Sequence, residues 1–267
     1  MKSEMKPDEY AKPGEYTPLE IMAVCGARAI KDGEIVFVGT GLPMIAAMLA
    51  KRTHAPRAKI VYESGFIDSG AKDIALSIAD SRLGYRAAAC LGLIEALGIL
   101  LQGGRVDVGF VGAAQIDEYG NINTTYIGSM ESPLVRLPGS GGGNDIVSSA
   151  GRIVIIMRHE KRKFTKKLYY RTSPGYLDGP GARKRVGLIG GGPVLVITNL
   201  CQMDFHEETK RIRLKTVHPG VTVEQVLENV DFDLIVPEHV PETTPPTYRE
   251  LEILRSIDPE GLYLRRG

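Results

Sequence analysis

The segment from Lys59 to Gly70, KIVYESGFIDSG, runs an apolar stretch, Ile60, Val61 and Tyr62, straight into a carboxylate, Glu63, and then into a Ser64-Gly65 turn. For a glutamate taken at random, a surface acid in a turn is the better explanation. Here the preceding stretch is apolar on both faces, which predicts a central strand of a parallel sheet, and the carboxyl end of such a strand overlooks the ligand crevice. A carboxylate in that place serves as a general base, a metal ligand or a nucleophile. The histidines, His54, His159, His206, His218 and His239, never fall at i, i+4 or beside a cysteine pair, so a zinc site has little support. With no metal expected, base and nucleophile remain.

Further loops hold residues that a plain turn does not demand. Gly39-Thr40-Gly41-Leu42-Pro43 sets two glycines where backbone amides can approach a ligand, ahead of a helix whose positive end points the same way. A tight strand-to-helix turn explains that loop equally well. Pro138 to Asp145, PGSGGGND, packs Gly139, Gly141, Gly142 and Gly143 into five positions. Such a run costs backbone entropy on folding and is kept for free amides around a ligand or for a lid; the strand expected soon after Asp145 favours a site loop over a floppy linker. Gly112 to Thr125, GAAQIDEYGNINTT, contains Gln115 and Asn121, the candidate substrate-pocket side chains, although Tyr119-Gly120-Asn121 also reads as a simple turn. GLIGGGP, Gly187 to Pro193, precedes a strand instead of opening a helix after one, which rejects a dinucleotide fingerprint.

The elements that must position these loops alternate. Thr17, Pro18 and Glu20 spell a capped helix start, with Ile21, Val24 and Cys25 at helical period and a stop at Asp32-Gly33. EIVFV is a short buried strand, and Pro43 opens a second helix, Met44 to Lys51. KIVYESG, RVDVGFVGAAQID, GRIVIIMRHE, GPVLVITN and RIRLKTVHPG read as further strands, and LGLIEALGILLQGG as a buried helix ending in glycine. Thr222 and Gln225 form a second capping box for a helix with Val223, Val226, Leu227 and Val230 on one face. After Pro237 the chain turns Pro-rich and predicts an extended crossing and one short helix. The alternation points to an α/β fold: a single doubly wound, mostly parallel sheet, preceded by an arm over residues 1–16 and followed by a Pro-rich tail.

Composition narrows the function classes. The chain has 267 residues, 43% hydrophobic and 24% charged, as in an ordinary globular protein. No apolar run approaches the roughly 18 residues of a membrane span, and the polar, Pro- and Gly-punctuated start lacks a signal-peptide core, so a cytoplasmic protein is expected. With 33 basic and 32 acidic residues and a net charge of +1, no global field favours nucleic acid or a membrane surface. The basic run from Arg158 to Lys167 reads first as a solvated face, second as a landing place for a ligand's phosphates. Cys25, Cys90 and Cys201 are too scattered for a disulfide framework or a CxxC site.

Taken together and in this order, VGTGLP, VYESGFID, VGAAQIDEYGNINTT, GSGGGND, HEKRKF, RTSPGYLDGPG and VHPGVTVEQVLENVDFDL resemble the β subunits of class I coenzyme A transferases, the glutaconate CoA-transferase branch above all. The resemblance spans Thr17 to Asp233. It implies that Glu63 is a covalent nucleophile that passes through a mixed anhydride to a glutamyl-CoA thioester. It further implies that the amides of Gly141, Gly142 and Gly143 supply oxyanion and CoA contacts, that Gly39 and Gly41 shape the opposite wall, and that Ser64 and Gly65 are small to admit the CoA thiol end. Coenzyme A is then a co-substrate and no cofactor is held. The resemblance also implies a partner, the α subunit, that completes the site, and its branch suggests a dicarboxylate such as glutaconate as the acyl group, with a branched or cyclic acyl acid as the alternative; the sequence does not choose between them. Rival readings are a hydrolase or decarboxylase of CoA thioesters on the same scaffold and, further off, a sugar-phosphate isomerase or a non-catalytic ligand-binding module.

Overall fold

The computed structural model describes residue 6, residues 8–70 and residues 74–265. Thr17 caps α1 (Pro18–Arg28): its hydroxyl accepts from the Glu20 amide, and the Glu20 carboxylate accepts from the Thr17 amide. β1 (Ile35–Val38) follows, Gly41 turns the chain at φ +87° into α2 (Leu42–Arg52), and β2 (Lys59–Tyr62) comes next. Two short strands, β3 (Phe66–Ile67) and β4 (Ala89–Cys90), lead to a π-helix at Glu95–Leu101 and to β5 (Val108–Val111). The ladders β6 (Gln115–Ile116) with β7 (Ile122–Asn123), and β8 (Tyr126–Gly128) with β9 (Pro133–Arg136), stand apart from the main sheet. Then come α3 (Gly143–Ser149), β10 (Arg152–Ile156), α4 (Ala182–Arg185), β11 (Pro193–Ile197), β12 (Cys201–Phe205), β13 (Ile212–Val217), α5 (Val223–Leu227) and α6 (Tyr248–Ile257).

The main sheet has nine strands in the order β13-β12-β11-β10-β5-β1-β2-β3-β4. From β11 through β10, β5 and β1 to β2 every neighbour is parallel, and antiparallel pairs flank that block on both sides. Strand order reverses between β1 and β5, the switch point at which such sheets open a crevice beyond their carboxyl ends. Side chains alternate along each strand, so each face has its own core. Val36, Val38, Ile60 and Tyr62 pack under α1, α2 and α6, whereas Phe37, Val61, Ile153 and Ile155 pack against Ile146, Val147 and Val226.

Several expectations need correction. β2 is buried on both faces but is the outermost parallel strand, not a central one; the antiparallel β3 and β4 cover its open side. The LGLIEALGILL stretch forms a helix that is mostly exposed, with Ile94 78% accessible and only Ala96 and Leu101 of its π-helical part buried. The helix sends Leu97, Leu100 and Leu101 into the core that contains Phe37 and Val61, rests beside α3 with Gln102 donating to Asp145, and turns Leu93, Ile94 and Ile99 outward. After Asp145 the chain first completes α3. β12 has no counterpart among the expected strands, because CQMDF pairs antiparallel beyond the parallel block.

Both capping boxes stand as read, and a third occurs at Thr247 and Glu250, which starts α6. The arm lies along the tail: the Ala11 amide donates to the Pro246 carbonyl and the Tyr248 amide to the Glu9 carbonyl. Arg28 bonds Glu250 at 2.9 and 2.6 Å, and Arg255 reaches Glu20 at 2.7 Å. Among the described residues no helix is long and apolar enough to cross a membrane.

Candidate active site

Glu63 is the first residue beyond β2, so the sheet fixes its backbone and the crevice receives its side chain. The amide of Gly142, the residue before α3, donates to Oε1 of Glu63 at 2.8 Å. A side chain on Gly142 would set its Cβ 3.0 Å from the Glu63 carboxyl carbon, so glycine permits this approach. The other oxygen, Oε2, has no hydrogen bond among the described residues and is the one free to react. A cavity of about 190 Å³ opens here, lined by Gly39, Glu63, Thr124, Gly139, Gly143 and Ser173 over an apolar floor of Phe110, Ile122 and Ile146. A larger cavity of about 290 Å³ lies between α2 and β2, lined by Met44, Met48, Ile60, Tyr62 and Leu83. It contains no carboxylate, so chemistry and not size selects the smaller one.

The glycine loops meet around Glu63. Gly39 and Gly143 line the cavity, Gly142 is the donor, and a Cβ on Gly141 would stand 3.5 Å from Glu63 Oε1. Gly41 sits just outside and ends the loop by capping α2. Gly65 has a backbone reason to be glycine. Its φ is +93°, its amide bonds the Tyr62 carbonyl, and any Cβ would lie 2.1 Å from the Leu91 carbonyl oxygen, because the backbone at Leu91 crosses directly over the turn. Neither Gly65 nor Ser64 lines the cavity, and the Ser64 hydroxyl is buried without a partner among the described residues.

Gln115 and Asn121 are not brought to the cavity. Asn121 is fully buried, donates to Asp117 and to the Leu177 carbonyl, and accepts from the amides of Gly175 and Leu177. Gln115 accepts from Asn123 at 2.8 Å. Both side-chain amides are consumed in holding the β6–β7 hairpin and in tying it to the segments at 162 and 175–177. Burial pushes the Asp117 carboxyl up, against the three bonds it accepts from Asn121 and Tyr119.

The RTSPGYLDGPG segment adds a wall that the loop motifs alone do not announce. Ser173 pairs with Ile122 across an isolated bridge and lines the cavity, and the Thr172 hydroxyl accepts from the Thr124 amide at 2.9 Å. The Thr124 hydroxyl in turn donates to the Gly139 carbonyl at 2.7 Å and fixes the start of the glycine loop. The basic run is divided: His159 and Phe164 are buried and stacked, Arg162 and Lys163 bind Glu160, and Lys161, Lys166 and Lys167 face solvent. Among the described residues no group of three or more His, Cys, Asp or Glu could hold a metal.

The arrangement is a carboxylate with one oxygen held by a backbone amide and the other free, over an apolar floor, a geometry suited to nucleophilic attack or proton transfer. A coenzyme A transferase sequence profile matches residues 19–229. The chain is 45% identical to one of the subunits of the 3-oxoadipate CoA-transferase of Pseudomonas knackmussii, covering 91% of this chain and 94% of that one. It is 41% identical to the corresponding subunit of the glutaconate CoA-transferase of Acidaminococcus fermentans, covering 94% and 96%. The crystal structure of the Acidaminococcus fermentans glutaconate coenzyme A-transferase superimposes with a TM-score of 0.88 at 38% identity, over 97% of this chain and 100% of that one. With the profile spanning most of the length and relatives this similar nearly end to end, the chain belongs to the coenzyme A transferase family.

Proposed function

We propose that this chain is the β-type subunit of a class I CoA-transferase that moves coenzyme A between an acyl-CoA and a short dicarboxylic acid, with Glu63 as the nucleophile. The observation that carries the reading is the 2.8 Å bond from the Gly142 amide to Glu63 Oε1. In the first step Oε2 attacks the thioester carbonyl, the C–S bond breaks, and a mixed anhydride and the CoA thiolate result. The thiolate then attacks the Glu63 carboxyl carbon, expelling the acyl group as its carboxylate and leaving a glutamyl-CoA thioester. An acceptor carboxylate runs both steps in reverse. Whenever the Glu63 carboxyl carbon becomes tetrahedral, negative charge collects on Oε1, where the amide already waits; a donor so placed contributes about 10²-fold or more.

The named substrates of the relatives, 3-oxoadipate and glutaconate, are both dicarboxylic acids, which supports that class for this chain. An α-type chain is the expected partner. Leu93, Ile94 and Ile99 on the exposed helix, together with Met130, Leu134 and Val135 on the β8–β9 hairpin, are the apolar surface we assign to it. Residues 17–267 are read as one domain, with the arm as its strap.

The test is intact-mass spectrometry of the co-expressed complex after acyl-CoA and then borohydride, with acetyl-CoA and succinyl-CoA as donors and 3-oxoadipate and glutaconate as acceptors. An adduct mapping to Glu63, together with acceptor-dependent transfer, is expected. Free CoA released at the same rate without acceptor would replace transfer by hydrolysis, and a Glu63→Ala complex at full rate would remove the mechanism.

A further inference from the structure

We propose that Arg183 is a positioning residue for the Glu63 site: one buried guanidinium ties the α3 end of the cavity wall to the Ser173 end and so sets where the Gly142 amide meets the carboxylate. Its kinetic consequence rests on the reading of Glu63 above.

Arg183 is 7% exposed and has no carboxylate partner among the described residues. Every donor it uses goes to a backbone carbonyl. Nη2 donates to Val147 at 2.9 Å and Ser148 at 3.2 Å in the last turn of α3, and Nη1 to Pro174 at 2.9 Å and Gly175 at 2.8 Å. Nε and Nη2 share the Gly190 carbonyl at 3.2 and 3.1 Å. A buried cation without a counter-ion is costly, and an apolar side chain of similar size would fill the space more cheaply if packing were its only task.

The clamped segments are the two that continue into the cavity. α3 has seven residues, too few to hold a helix unaided, and it begins beside the Gly142 amide that bonds Glu63. Pro174 and Gly175 directly follow Ser173. The GLIGGGP loop completes the clamp: the Gly190 and Gly191 amides donate to the Ser148 and Ala150 carbonyls. A Cβ at Gly190 would stand 2.5 Å from the Ala150 oxygen, and one at Gly191 would stand 2.2 Å from the Gly151 oxygen. α3 is therefore fixed at its far end, and a shift of about 1 Å there moves the Gly142 donor off Oε1, a displacement that typically costs about 10²-fold in rate.

The experiment compares wild type, Arg183→Ala and Arg183→Lys in the co-expressed complex, with kinetics and hydrogen exchange. Expected for Arg183→Ala are a kcat about 10²-fold lower with KM within about two-fold, faster amide exchange confined to residues 141–149 and to Ser173 and Gly175, and partial recovery of kcat on adding guanidinium ion at millimolar concentration. Unchanged kcat in the assembled variant overturns the proposal, as does a loss that guanidinium does not touch and that comes with uniform exchange. If Arg183→Ala does not assemble, Arg183→Lys carries the same readouts, since an ammonium reaches fewer of these carbonyls. If wild type shows no transfer with any donor, the Glu63 reading fails alone. The tie is then decided by exchange: faster at 141–149 supports it, unchanged refutes it.

Discussion

Glu63 and Asp117 are both carboxylates at the ends of short strands, and the structure gives them opposite fates. Asp117 accepts three bonds, from the Asn121 and Tyr119 amides and the Asn121 side chain, and is 9% exposed. Glu63 accepts one, keeps Oε2 free and faces a cavity. A saturated carboxylate fixes a turn, and an unsaturated one facing a cavity is available for chemistry, the role we propose for Glu63. The largest expected effect breaks this contrast at its active pole: Glu63→Ala should lower transferase turnover by about 10⁴-fold or more while leaving the urea midpoint within error, measured on the co-expressed complex.

The next effect extends the saturated class to histidine. His159 and His218 are buried against Thr198, Val226 and Thr243, and burial pulls both to about 4. Because the folded state resists protonation, each group's contribution is fully present above the unfolded value near 6.5 and is lost as pH falls toward about 4, on the order of 3 kcal/mol each. Urea unfolding at pH 7 and pH 4.5 should show this loss, reduced in a His159→Gln/His218→Gln variant. Asp117→Asn turns one acceptor toward the Asn121 amide into a donor, and should cost about 1–3 kcal/mol of stability with near-normal kcat per folded molecule. Smallest is Gly142→Ala, whose backbone conformation alanine tolerates but whose Cβ presses on Glu63. About a tenfold loss of kcat at unchanged stability is expected, and a full-rate variant would show that the contact is not needed.

How much of the fold and site is legible in the sequence follows from the range of the physics involved. Caps at Thr17 and Thr222 are local chemistry and stand in the sequence as they stand in the fold. That the loops holding Glu63, Gly39 and Gly139 to Gly143 share one end of the sheet is legible from strand-to-loop grammar, although the central strand expected before Glu63 is the outermost parallel one. The reason for Gly65 is not, since it lies in Leu91, far along the chain. Gln115 and Asn121 have the right chemistry for a pocket, and only their bonded partners show that it is spent. Arg183 is invisible for the same reason: an arginine in a Gly- and Pro-rich loop reads as surface until its carbonyl acceptors are assembled around it. The outward turn of Leu93, Ile94 and Ile99 escapes because an apolar composition does not say which side chains face a core and which face solvent.

The bond between Glu63 and Gly142 joins residues 79 positions apart. Nothing local brings them together: β5, the β6–β7 and β8–β9 ladders and α3 must all be in place first. Contacts that close long loops form after the entropy of closure has been met. During refolding, helical signal from α1 and α2 should therefore return before catalytic competence. On the role proposed for Glu63, recovery of turnover then times the docking of the two halves of the sheet, and a chain that has regained its helices but not this contact should look folded by spectroscopy yet be inert as an enzyme.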